Sequence, residues 1–223
     1  MNVVDIHCHI LPGLDDGSPD MATSIAMAHL AVSAGITTMI GTPHWIEDEH
    51  ETDPAQIRQT VRDLQAELNS RTIPLTILCG NEALICPDLP DRVKKGDVLT
   101  LADRGTHLLL ELPCEDLPTY VDDVIFKLQL MGITPVLAHA ERYACVRTDW
   151  HILERWVQRG CLAQVNASSL DRSIGDDCAQ DLMDRGLVAC TATDAHDATK
   201  RVPSSIWNEW GTSLLAVKVR EET

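Results

Sequence analysis

The sequence predicts an α/β fold in which parallel strands alternate with helices and close into a barrel. Three observations predict it. Short apolar runs recur along the chain with little alternation inside them, as in strands buried on both faces. Amphipathic stretches lie between these runs. Polar residues, mostly His and acids, stand where the runs end.

The strand-like runs are 3–7, 36–42, 75–79, 107–112, 133–139, 162–166 and 187–191. Helical spacing relates Ile57, Val61, Leu64 and Leu68, and again Val121, Val124, Ile125 and Leu128. Pro19 and Pro54 fit first-turn helix positions after Ser18 and Asp53, which are good caps. Gly35, Gly132, Gly160 and Gly186 each follow a helical stretch and precede a strand, where Gly is the best helix stop. Strand, helix, strand implies parallel pairing through right-handed crossovers. His7, His44, Glu111, His139, Asn166 and Asp194 all fall at the C-terminal end of a strand or just after it. In a barrel those ends converge on one mouth. In an open sheet they would lie in a line, and the outer ones would share no site.

The chain has 223 residues, which fits one well-buried domain over 1–223. Hydrophobic residues are 44% and charged residues 23%, ordinary for a globular protein. No apolar run is long enough to span a bilayer, so membrane insertion is not expected. The first residues lack a basic segment followed by an apolar core, so no signal peptide is expected and the cytoplasm is the predicted location. The net charge of −16 disfavours bulk binding to nucleic acid or anionic membranes. It disfavours anionic substrates too, unless bound cations reverse the field locally. None of the eight Cys forms a Cys-x-x-Cys pair, and reduced thiols are expected. Nothing in the sequence sets the oligomeric state.

The first chemical cluster is Asp5-Ile6-His7-Cys8-His9, followed by a turn with Asp15 and Asp16. Two His one residue apart share a face of an extended chain and can grip one ion. Alone, such a pair is as well read as two ordinary histidines. Next come Thr42-Pro43-His44, Gly80-Asn81-Glu82, and Glu111 after three leucines. A carboxylate ending such a run is costly to bury unless it is paired or bound to metal. Ala138-His139-Ala140-Glu141-Arg142 and Thr193-Asp194-Ala195-His196 complete the set. His139 has a bland reading as a core histidine, and Asp194 as a helix cap. Six such sites at comparable strand ends favour a shared centre.

Four carboxylates (Asp16, Glu82, Glu111, Asp194) and five imidazoles (His7, His9, His44, His139, His196) are too many ligands for one zinc, which takes about four. Three divalent ions with shared carboxylates and a bridging hydroxide would leave the site slightly positive, which reconciles an anionic substrate with the acidic surface. Mixed imidazole and carboxylate ligands suit manganese, iron or zinc better than calcium.

His-Cys-His-x-Leu-Pro-Gly-x-Asp-Asp-Gly, Thr-Pro-His, Gly-x-Glu, Ala-His-x-Glu-Arg-Tyr and Asp-Ala-His, in this order from His7 to about Arg201, resemble the PHP (polymerase and histidinol phosphatase) superfamily. The extended first motif is similar to that of its bacterial protein-tyrosine phosphatases of capsule and exopolysaccharide biosynthesis. The resemblance implies a distorted seven-stranded (β/α) barrel, TIM-like, with three metal ions, usually Mn2+. It implies that His7, His9, Glu82 and Asp194 hold one ion, that Glu82, Glu111 and His139 hold a second, and that Asp16, His44 and His196 hold a third. Arg142 and Arg201 would grip the phosphate, with His196 or Asp194 able to supply a proton. The substrate would be a phosphotyrosine-containing protein, such as a bacterial tyrosine kinase of polysaccharide export. Trp45 stands where relatives often carry another His, the segment 46–51 is acidic, and Gly-Asn-Glu replaces Gly-Gln-Glu. These departures leave the ligands intact and bear on substrate choice.

Cys86 and Arg92 have the Cys-x5-Arg spacing of cysteine-based phosphatases. A phosphate cradle needs successive backbone N–H donors. Pro87 and Pro90 have none, and Asp88 and Asp91 would repel the anion. Competing readings are a small-molecule phosphomonoesterase acting on, for example, histidinol phosphate, a metal-dependent nuclease or amidohydrolase, and a binding module without catalysis. The missing lysine at the fourth strand end speaks against an amidohydrolase. The net charge speaks against a nuclease, and the two arginines against a non-catalytic module.

Overall fold

A computed structural model describes residues 3–171 and 177–205. Residues 206–223, part of the expected single domain 1–223, lie outside the described residues. The α/β alternation is as the sequence predicts, but the strands are shorter and more numerous.

Strand β1 (Val4–Cys8) is wholly buried and pairs in parallel with β2 (Thr38–Gly41), which pairs with β5 (Thr76–Cys79). A second sheet runs β10-β9-β8-β7-β6-β3-β4. Its members are β3 (His44–Ile46), β4 (His50–Glu51), β6 (Glu82–Leu84), β7 (His107–Glu111), β8 (Thr134–Leu137), β9 (Leu162–Asn166) and β10 (Cys190–Ala192). All its pairings are parallel except the β3–β4 hairpin.

The ladders therefore run as two sheets, not as one closed seven-stranded barrel. The physical reason lies at two breaks. Pro43 has no N–H and interrupts the path from β2 to β3. Asn81 leaves the ladder to bond Leu99, its N–H reaching the Leu99 carbonyl at 3.1 Å. Beyond each break a short strand resumes, and His44 is set in register with Glu82. The first and last strands also meet. Asp194 N–H donates to the His7 carbonyl at 2.8 Å, and His9 N–H to the Ala195 carbonyl at 2.9 Å. Asp5, fully buried below, accepts from the Thr193 amide at 3.1 Å and the Thr193 hydroxyl at 2.5 Å. Between the sheets, Val4, Ile6, Ile40, Leu109, Val136 and Ala192 pack as an inner core under the strand ends.

Helix α1 (Met21–Ser33) is capped by Asp20, whose side chain accepts from the Thr23 amide. Ser18, expected as that cap, is instead buried, and its hydroxyl meets the Ser24 hydroxyl at 2.8 Å. Its polar side chain is better satisfied inside the first loop than at a solvated helix end. Helix α2 (Pro54–Ser70) starts as expected, with Asp53 capping and Pro54 in the first turn. Ile57, Leu64 and Leu68 are its buried stripe. Helix α3 (Leu89–Lys95) is short. Helix α4 (Val121–Leu130) buries Val121, Val124, Ile125 and Leu128. Helices α5 (Ala144–Thr148), α6 (His151–Gln158) and α7 (Cys178–Asp184) complete the set among the described residues. None of the described helices is long and apolar enough to cross a membrane.

Gly17 shows how tightly the first loop is drawn over β1. A Cβ there would lie 2.3 Å from the His9 carbonyl oxygen and 2.4 Å from the His9 Cβ. Both are parts of a strand end that has no room to move. Gly17→Ala should destabilise the protein by about 1–3 kcal/mol and lower Tm by roughly 2–10 °C. Thermal unfolding followed by circular dichroism checks it, and an unchanged Tm would refute the tight approach.

Candidate metal centre

All nine side chains named from the sequence come together at one mouth, from strand ends, from two strands that restart there and from the first loop. His7 ends β1, and His9 follows on the same face. His44 begins β3 and Glu82 begins β6, the two strands that resume after the breaks. Glu111 ends β7, His139 lies just past β8, and Asp194 and His196 lie just past β10. Asp16 enters from the first loop and is the most exposed member, at 66% of its side chain. His139 and Asp194 hold φ of +30° and +49°, in the left-handed region that non-glycine residues seldom adopt. That turn aims each side chain into the cluster.

Glu82 lies at the centre and is 1% exposed. Its Oε2 is 3.1 Å from His7 Nε2, 3.2 Å from His9 Nε2 and 3.2 Å from His44 Nδ1. Its Oε1 is 2.9 Å from His139 Nε2. His7 Nε2 and His9 Nε2 stand 3.3 Å apart, with Asp194 Oδ1 at 3.3 Å and 3.5 Å from them. Asp16 Oδ1 is 3.4 Å from His196 Nε2 and 3.5 Å from His44 Nε2. Glu111 lies 3.5 Å from His139 and 3.7 Å from His44.

Four groups of side chains offer atoms within 4.8 Å of one another. They are His9, Asp16, His44 and His196; His7, Glu82 and His139; His7, His9 and Asp194; and His44, Glu82 and Glu111. The residues fit divalent cations on a further observation. Both Glu82 oxygens, His44 Nδ1 and His196 Nε2 are buried without a hydrogen-bond partner among the described residues. The rings approach Glu82 at hydrogen-bond distance, yet no N–H is aimed at it. Lone pairs facing one another in a buried space are what a cation satisfies.

The imidazoles and carboxylates of the cluster shift one another's proton affinity. Burial opposes a charge on His7, but Glu82 and Asp194 outweigh it and hold the ring up at about 9. Burial also opposes a charge on His9, and Asp15 and Glu82 raise it to about 10. Burial, and then the neighbouring Glu82 charge, pushes Glu111 up to about 7. Burial, with His9 and Arg201 behind it, pulls His196 down to about 4.

A supporting layer was not visible in the sequence. Asp15 Oδ2 accepts from His9 Nδ1 at 2.6 Å and from the His44 amide at 3.1 Å. Gln164 Oε1 accepts from the His139 amide at 2.8 Å and lies 3.1 Å from His7 Nδ1. Asn166 Nδ2 donates to Asp194 Oδ2 at 2.8 Å. Glu141 is fully buried and accepts from the Asn166 amide and the Ser169 hydroxyl. Only Asp15, Glu141 and Asn166 stood in motifs that could have drawn notice. Gln164 sits mid-strand with nothing in the sequence to mark it.

The two arginines converge on the outer oxygen of Asp194. Arg201 lies 2.7 Å and Arg142 3.5 Å from Oδ2, and both side chains are about half exposed. Trp45 takes no part, because it is 1% exposed and packs in the hydrophobic core. Arg92 lies over the Trp45 ring and is 3.4 Å from Glu47, 3.6 Å from Glu51 and 3.6 Å from Asp97. It is therefore committed to carboxylates, as far as Cys86 is concerned. Burial, and then Glu47, pushes the Cys86 thiol up to about 11. Both facts are wrong for a phosphate-binding nucleophile.

Comparison with known proteins agrees with this geometry. Residues 3–207 match the family model described as capsular polysaccharide synthesis, CpsB/CapC. The chain is 36% identical over 202 residues to the tyrosine-protein phosphatase YwqE of Bacillus subtilis, covering 89% of this chain and 79% of YwqE. It is 25% identical over 209 residues to the tyrosine-protein phosphatase CpsB of Streptococcus pneumoniae, covering 90% and 86%. A solved structure from work on those two proteins, described there as metal-dependent tyrosine phosphatases, superposes with a TM-score of 0.85 at 35% identity, over 90% of this chain and 82% of the other. A β-aspartyl dipeptidase from Fervidobacterium islandicum shares the fold alone, at TM-score 0.51 and 12% identity.

Substitution separates the two candidate centres. Cys86→Ser should retain nearly full phosphatase activity, and His139→Ala should lose nearly all of it. Hydrolysis of an aryl phosphate checks both. A thousandfold loss in the Cys86 variant alone would overturn the metal-centred reading.

Proposed function

The chain belongs to the CpsB/CapC family of capsular polysaccharide synthesis, and from that premise we infer that it is a metal-dependent protein-tyrosine phosphatase, a hydrolase of phosphoric monoesters. One observation carries the inference. Nine ligand-type side chains from six strand ends and one loop converge around the buried, unsatisfied carboxylate of Glu82.

We assign three divalent ions. His7, His9, Glu82 and Asp194 would hold the first, Glu82, Glu111 and His139 the second, and Asp16, His44 and His196 the third. The short distances support this division and add that His9 also borders the third group and His7 the second. Manganese is the assigned ion, and the donor set also suits iron or zinc. Bound divalent ions lower the pKa of a coordinated water and draw charge from phosphoryl oxygens.

The chain's own groups do the rest. Arg142 and Arg201 reach the phosphate from the rim, where directed hydrogen bonds favour the charge that builds on its oxygens. Asp194, between the arginines and His7, fixes their distance from the ions. His196 or Asp194 is placed to pass a proton to a poor leaving group. A tyrosyl oxygen has a pKa near 10 and needs little such help. No step uses a thiol: besides Cys86, Cys114 stands near Arg142, and burial raises its pKa too. Hydrolysis is then one displacement by water, without a phosphoenzyme. The two sheets are read as halves of a distorted seven-stranded (β/α) barrel whose mouth holds the centre. The assigned substrate is phosphotyrosine on a bacterial tyrosine kinase of polysaccharide export, and the assigned location is the cytoplasm.

Elemental analysis of gently purified protein should find two or three ions per chain, and chelation should abolish activity. An active protein free of metal would sink the reading. Under matched manganese, a phosphotyrosyl peptide should be hydrolysed faster than histidinol phosphate or single-stranded DNA. Preference for either alternative would reassign the substrate. Arg201→Ala should lose roughly 10²–10³ in kcat/KM. With a chiral phosphate in labelled water, inversion at phosphorus is expected, and retention would mean a covalent intermediate.

A further inference from the structure

Gln164 is fully buried in the middle of β9, and its carboxamide is used at both ends. At one end Oε1 accepts two hydrogen bonds from different strand ends. One comes from the His139 amide at 2.8 Å, and the other from His7 Nδ1 at 3.1 Å. At the other end Nε2 donates to Asn166 Oδ1 at 2.9 Å, and Asn166 Nδ2 donates to Asp194 Oδ2 at 2.8 Å. His7 and His139 are two of the three members of one close group, with Glu82 as the third.

These contacts fix more than position. An amide oxygen is only an acceptor, so His7 must carry a proton on Nδ1. Its Nε2 then faces Glu82, 3.1 Å away, with a free lone pair once the ring is neutral. The bond to the His139 amide acts on a residue held at φ +30°, a conformation that persists only when its surroundings impose it. One oxygen thus sets the tautomer of the first imidazole and the backbone turn that aims the second. The opposite end has to donate, because Asn166 Oδ1 is an acceptor. A carboxamide accepts at one end and donates at the other, whereas an ionised carboxylate only accepts. The partner of His9 differs in kind, being the carboxylate of Asp15 at 2.6 Å.

We propose that Gln164 is a positioning residue of the metal centre: its side-chain oxygen clamps His7 and His139 as a pair of ligands facing Glu82, and its amide nitrogen ties that pair through Asn166 to Asp194. This rests on reading the cluster as a metal centre and is independent of the substrate.

The test uses zinc as the probe and binding as the readout. Gln164→Met removes the acceptor at similar size. It should lower zinc affinity about 10–100-fold, the usual effect of losing a hydrogen-bond partner of a metal-bound His. Gln164→Glu restores the acceptor facing His7 and His139 but not the donor to Asn166, and should recover part of that loss, which a merely space-filling role does not predict. Calorimetric titration of the chelator-stripped full chain gives the affinities, and thermal unfolding shows whether each variant folds. Zinc affinity of Gln164→Met equal to the wild type overturns the proposal, as does Gln164→Glu binding no better than Gln164→Met. Should Gln164→Met fail to fold, the wild type decides. In the zinc-loaded, 15N-histidine-labelled protein, nuclear magnetic resonance should show His7 protonated at Nδ1 and metal-bound at Nε2, and the reverse arrangement overturns the proposal. Wild-type protein that binds no zinc at all would instead defeat the metal reading itself.

Discussion

Glu82 is almost wholly buried, and four imidazoles from three separate places along the chain face its two oxygens. A carboxylate removed from water in this way is stable only if its charge is answered nearby. The demand shapes the fold around it. The ladder from β2 to β3 and the ladder from β5 to β6 both break so that His44 and Glu82 come into register at the mouth. His139 and Asp194 accept left-handed backbone for the same purpose. The hydrophobic core below supplies rigid strand ends, and the mouth spends part of that rigidity on concentrated charge.

The same arrangement accounts for an acidic protein handling an anion. A net charge of −16 leaves little of the surface attractive to phosphate. On the proposed reading the four acids assigned as ligands are answered by cations, and two half-exposed arginines stand on the rim beside Asp194. The local field is then opposite in sign to the average one, and an anion meets positive charge only at the mouth.

The strand ends were legible because a polar residue closing an apolar run is a strong local signal. His7, Glu111, His139 and Asp194 all carried it. The helix stops at Gly35, Gly132, Gly160 and Gly186 were legible for a similar reason, and each glycine has a positive φ. The three-residue strands β3 and β6 were not, because so short a run has no period to read. The cap of α1 moved from Ser18 to Asp20 because the Ser18 hydroxyl found a partner in Ser24, which spacing alone does not reveal. Trp45 looked like a change at the site but packs in the core, since β3 alternates its faces and turns that residue away from His44. Gln164 was missed as a support because a hydrogen bond between distant segments leaves no trace in either segment.

The contact between β1 and the segment after β10 has a consequence for synthesis. His7 and Asp194 are neighbours in space, joined by the bond from the Asp194 amide to the His7 carbonyl, but they lie near opposite ends of the described chain. A nascent chain emerges from its N-terminus, and domains generally fold as units. Every ligand except Asp194 and His196 is therefore translated while the centre is still open, with the Glu82 charge unanswered on one side. The cluster closes only once Asp194 and His196 have been made. A ribosome stalled before Thr193 would carry a product that contains seven of the nine proposed ligands and no closed site to hold them.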